Sequence, residues 1–156
     1  MTKKRTQKRS TFMEIDILPK MVRAQTHMVF IVVPRFNITT LITMIETLRI
    51  ANYLVPSPIF SWEVASFDGP KVTASNGMTA TVEIANDKLM PAELNFILGS
   101  WGTENYNNRY LTAWLRKRAR AGERICGVEL GSYIIARAGL LDGRPATTHW
   151  SWLNGF

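Results

Sequence analysis

Cysteine and histidine are scarce in this chain: one Cys, at 126, and two His, at 27 and 149, in 156 residues. A single cysteine excludes an intrachain disulfide and fits a reducing compartment, with the cytoplasm as the default. Three such residues, dispersed along the sequence, do not make a metal site. No apolar run has the length needed to cross a bilayer, and no secretory signal precedes the folded region, so no membrane partner is expected. A Gly-rich phosphate loop of recognised spacing, a paired-carboxylate motif and a usable Ser-His-Asp order are all missing. There is no internal repeat, no low-complexity tract and no sign of a second domain. Acidic residues are absent from the first ten positions, which hold Lys3, Lys4, Arg5, Lys8 and Arg9.

That arm carries +5 of the formal +7, leaving only +2 for the rest. A solvated tail is the usual fate of such a run, and phosphate contact is the alternative. Residues 1–25 read as this arm and a short amphipathic lead-in; residues 26–156 read as one domain.

Within it, Met28–Val33 is a continuous β-branched and apolar run, suited to a central parallel strand buried on both faces, and Pro34 ends it. Asn37 is placed to cap a helix reaching about Asn52, with Leu41, Met44, Ile45, Leu48 and Ala51 at helical spacing. Phe60–Phe67 reads as a second strand and Asp68-Gly69-Pro70 as a turn. Ser75-Asn76-Gly77 marks a turn inside Val72–Ile84, predicting a small hairpin. Leu94–Leu98 is the next buried strand. Residues 106–121 then form a basic amphipathic helix, with Tyr110, Leu111, Trp114 and Leu115 expected inward and Arg116, Lys117, Arg118 and Arg120 outward, stopped by Gly122. That outward face reads as solvated, with attraction of acidic partners as the alternative. Strands alternating with helices argue a parallel α/β sheet.

The stretch that organises the rest is Glu123–Trp150. Ile125–Val128 reads as a buried strand, Glu129-Leu130-Gly131 as a sharp turn, Ser132–Ala138 as a helix and Gly139 as its stop. Glycines 127 and 131 flank the turn and permit tight backbone geometry. A residue at such an elbow lies at the C-terminal edge of a sheet, where open α/β folds bind ligands.

The run GSYIIARAGLLDGRPATTHW, residues 131–150, resembles the end of the sensor domain in AraC-type transcriptional regulators of the GlxA group. That domain belongs to the ThiJ/PfpI, or class I glutamine amidotransferase-like, superfamily, whose enzymes carry a Cys nucleophile on this elbow. The resemblance covers roughly Met28 to Trp150. It implies a flavodoxin-like three-layer sandwich with a mainly parallel sheet. It implies further strands and a last helix beyond the His-Trp pair, so the domain reads as C-terminally incomplete. DNA binding would belong to a C-terminal helix-turn-helix part absent from this chain, and a homodimer is expected.

Aligned through Ala138–Gly143, the elbow residue is Glu129. Carboxylates there are similar to those of regulators of choline, betaine, carnitine and arginine catabolism. Glu129 reads either as a helix-terminal acid favoured by the macrodipole or as a ligand carboxylate suited to a cation. It is a poor substitute for a thiolate, because it is a far weaker nucleophile. Cys126, three residues earlier, reads as a small buried apolar side chain rather than a reactive thiol. His149 either bonds a ligand or orients its loop. His27 reads as surface or strand-end packing. Gly99, Ser100, Trp101 and Gly102 leave a strand end and should line the crevice of Glu129; in relatives the matching loop supplies oxyanion-hole amides. Trp101 is either a packed surface indole or, with Tyr106 and Trp150, an aromatic wall for a quaternary ammonium or guanidinium. Some superfamily enzymes have a Glu near the position of Asn37–Thr40 that contacts the nucleophile; none stands here.

The sequence therefore predicts a non-catalytic sensor that needs no cofactor or metal. Its ligand residues are Glu129, Gly99, Ser100, Trp101, His149 and Trp150, and its effector is a small amine or amino-acid derivative. The alternative is a hydrolase or amidase using Cys126.

Overall fold

The computed structural model describes residues 25–85 and 88–156. The basic arm and nearly all of the lead-in lie outside that range.

The apolar run at the start of the domain becomes strand β1 (Thr26–Val32), and its side chains alternate between two cores. Val29, Ile31 and Val33 enter one; Met28, Phe30 and Val32 enter the other. A strand with two apolar faces is stable only between covering layers, and each fully buried side chain of this size contributes about 1.5–3 kcal/mol. The five-stranded sheet has the order β5-β2-β1-β6-β7, with β2 (Phe60–Ser66), β5 (Glu83–Ile84), β6 (Leu94–Gly99) and β7 (Arg124–Glu129), and every pairing in it is parallel. Helix α1 (Ile38–Tyr53) packs with the Phe30 core, while α2 (Arg109–Arg120) and α3 (Gly131–Arg137) pack with the Val29 core. The alternating pattern argues a parallel α/β sheet, and this is the three-layer, flavodoxin-like form of it that the resemblance implies. The turn at Ser75–Gly77 closes an antiparallel hairpin, β3 (Lys71–Thr73) with β4 (Thr79–Thr81), whose Val72 and Ala80 join the α1-side core.

Three expectations are corrected. Strand β7 is not buried on both sides: among the described residues it borders the sheet, and Ile125, Cys126 and Val128 are only partly covered. Tyr110, expected inward on α2, is 63% exposed. Arg118, expected outward, is 8% exposed, because it turns back to bond Glu123 at 2.9 Å and the carbonyls of Leu89 and Met90. A helical wheel records spacing; it does not record the acid that the Gly122 turn brings beneath the helix end.

No helix among the described residues is long and apolar enough to cross a membrane.

Candidate functional site

The chain leaves β1 toward β2 on one side, while β6 and β7 lie on the other. The C-terminal ends of β1, β6 and β7 therefore face the switch point of the sheet, where connections diverge and a crevice opens. Glu129 closes β7 there.

The elbow is built by its glycines. A Cβ on Gly131 would lie 1.9 Å from the Ile97 carbonyl oxygen, and one on Gly127 would lie 2.7 Å from the Ser132 nitrogen. Helix α3 can approach β6 and fold back on β7 only because both positions lack side chains. Between them Glu129 takes φ +52°, in the left-handed region that a non-glycine residue rarely occupies.

Its carboxylate is held. Asn37 Nδ2 donates to Glu129 Oε1 at 2.8 Å, and Thr40 Oγ1 donates to the same oxygen at 3.1 Å. Asn37 also caps α1, because its Oδ1 accepts from the Thr39 and Thr40 amides, a contribution of about 1 kcal/mol. The segment 37–40, read as lacking an acid, is thus what touches the elbow side chain. An amide and a hydroxyl therefore stand beside the elbow carboxylate. Glu129 Oε2 has no hydrogen-bond partner among the described residues.

The loop after β6 is shaped by Thr103, which is fully buried. Its Oγ1 accepts from the Ser100 amide at 3.0 Å, and its own amide donates to the Ser100 carbonyl at 3.0 Å. Gly102, at φ +102°, donates its amide to Glu104 Oε2 at 2.8 Å. The Ser100 and Gly102 amides are therefore engaged by side chains of their own loop, which leaves neither free to stabilise an oxyanion. Gly99 is the register partner of Glu129, so the loop begins beside the elbow. Arg137 of α3, unnoticed in the sequence, braces the loop by donating to the carbonyls of Thr103, Glu104 and Tyr106.

The three aromatic residues stand in different surroundings. Trp101 is 63% exposed and Trp150 is 78% exposed. Tyr106 donates its hydroxyl to Asp68 Oδ2 at 2.7 Å and packs against the α2-side core; burial first, and then Asp68, push its phenol well above the ordinary value. His149 caps a terminal 3₁₀ turn through its ring, with Nδ1 2.7 Å from Ser151 Oγ, and its ring lies 5.5 Å from that of Trp150. The link from this segment to the elbow is Thr148, whose Oγ1 accepts from Ser132 Oγ at 2.8 Å. His27 is buried rather than superficial, with Nδ1 2.9 Å from Ser61 Oγ and Nε2 3.3 Å from Glu63, at the opposite edge of the sheet.

Cys126 is half-buried on edge strand β7, in register with Phe96. Burial raises its thiol pKa, and nearby Arg124 only partly opposes this. An activated nucleophile needs the reverse shift.

No family model matches the chain. Among curated proteins, the HTH-type transcriptional regulator CdhR of Pseudomonas aeruginosa is 36% identical over 127 residues, which is 81% of this chain and 38% of the relative. The HTH-type transcriptional regulator GlxA of Rhizobium meliloti is 29% identical over 122 residues, 78% of this chain and 38% of the relative. The chain spans little more than a third of the length of these relatives. Among solved structures, an AraC family transcriptional regulator from Pseudomonas putida superposes with a TM-score of 0.76 at 22% identity, covering 83% of this chain and 70% of that one. A ThiJ/PfpI family protein from Pseudomonas syringae gives 0.68 at 20% identity, covering 93% of this chain and 58% of that one.

Proposed function

We propose that this chain, a homologue of HTH-type transcriptional regulators with the fold of ThiJ/PfpI proteins, is the ligand-sensing and dimerising domain of such a regulator. It is cytoplasmic and non-catalytic. It binds a small amine or amino-acid derivative in the crevice of Glu129, with Gly99, Ser100 and Trp101 on one flank and His149 and Trp150 on the other. DNA is reached through another part of the regulator, and the effector acts by binding one placement of the DNA-binding modules better than another.

One observation carries this reading. The elbow residue is an acid, and Asn37 and Thr40 bond one of its oxygens while the second stays without a partner among the described residues. A carboxylate so oriented attracts a cation and is a far weaker nucleophile than the thiolate it stands in for. Isothermal titration with choline, betaine, carnitine and arginine tests it. At least one should bind, and Glu129→Gln should weaken that binding about tenfold or more, the scale of a lost charged contact. Silence with all four would remove the cationic-ligand reading.

The rival reading, a hydrolase or amidase using Cys126, has a direct discriminator. Turnover abolished by Cys126→Ala would establish it.

A further inference from the structure

Two non-glycine residues among those described have positive φ: Glu129 at +52° and Arg35 at +67°. Both stand at the C-terminal edge of the sheet, one closing β7 and the other just past β1. A long side chain in this region is disfavoured where glycine would be free, and such strain is retained chiefly at ligand sites.

Neighbouring contacts aim Arg35. Its amide donates to the Thr73 carbonyl at 2.8 Å, which ties it to the hairpin. Its stem crosses Gly102: Cδ, Nε and Cζ lie 3.6, 3.7 and 3.9 Å from where a Gly102 Cβ would be. Gly102 ends the loop that Gly99 begins, and Gly99 is the register partner of Glu129. Three residues of chain span at most about 11 Å, and the bonds between Ser100 and Thr103 turn this loop back on itself. Arg35 and Glu129 form no ion pair with each other, and the guanidinium has no acceptor among the described residues.

We propose that Arg35 is the anion-recognising half of the crevice and that the effector is a small zwitterion, its carboxylate on Arg35 and its cationic end on Glu129. The inference rests on the sensor reading above and narrows it, because a simple amine would leave the guanidinium unused. Arginine suits this role: its planar fork matches a carboxylate with two parallel N–H donors, and it stays charged at every relevant pH.

Matched probes test this on the full chain. Betaine and choline share a trimethylammonium group but differ in the carboxylate; arginine and agmatine form a second such pair. Calorimetry should show the carboxylate-bearing member of at least one pair binding about tenfold tighter or more, equivalent to about 1.4 kcal/mol. Arg35→Gly should erase that preference and leave the carboxylate-free member unchanged. Its thermal midpoint should hold or rise, since glycine relieves the left-handed backbone. Equal binding within both pairs, or a preference that survives Arg35→Gly, would overturn the role of Arg35 and leave the sensor reading standing. No binding by any of the four probes would overturn the role of Arg35, and silence from carnitine as well would remove the cationic-ligand reading.

Discussion

Cys126 is the residue on which a catalytic reading would have to rest, and its surroundings work against it. The folded protein holds the thiol proton more tightly than an unfolded chain, in which the group titrates near its ordinary value of 9.0. Between that value and the higher folded one, the native state carries more protons, so this group's contribution to stability is full below about pH 9 and falls as pH rises beyond it. Urea titrations of the wild type and Cys126→Ala should therefore give a stability difference that is constant from pH 7 to 8 and moves against the wild type by pH 10. Alkylation by iodoacetamide at pH 7 should be slower than in the urea-unfolded chain. Rapid alkylation of the native protein at neutral pH would contradict the assignment. Glu129 presents the contrasting case, a side chain whose orientation is set by two donors from another element.

At the scale of elements, the end of α2 carries the most consequential polar cluster. Arg118 is buried against Trp114, with its guanidinium carbon 4.8 Å from the ring centroid, and pairs with Glu123, which Asn95 Nδ2 also bonds at 2.9 Å. Removing one member strands a buried charge; removing both need not. Glu123→Ala should cost about 3–5 kcal/mol in urea denaturation. The double change Arg118→Met with Glu123→Leu should cost less than Glu123→Ala alone. A double variant as unstable as the sum of its singles would show the pair to be independent. Asn37 works at the same scale, since one side chain both caps α1 and anchors the elbow of β7. The start of α1 and the site are thereby one unit.

For the whole molecule, position in the sheet sets local stability. Strand β1 has partners on both sides and a fully buried run from Val29 to Val32, whereas β7 has one partner and partial cover among the described residues. Amide exchange should be slowest in β1 and β6 and faster by at least about tenfold in β7 and in the β3–β4 hairpin, because opening an edge breaks fewer contacts. Protection of β7 equal to that of β1 would indicate that something else covers its outer edge.

Much of this architecture is legible in the order of residues alone. The β1 run, the Asn37 cap, the Ser75–Gly77 turn and the glycines around residue 129 are local signals, because strand burial, capping and tight turns depend on residues a few positions apart. The same locality put Glu129 in a turn, and the family resemblance made that position the elbow. What only the tertiary structure decided involves partners far apart in sequence. Asn37 and Thr40 reach Glu129 across 92 and 89 positions, Arg35 crosses Gly102, Arg118 folds inward, and β7 takes the border of the sheet. Those contacts depend on which chain ends the parallel sheet brings to one edge, and a pattern confined to neighbouring residues does not record that.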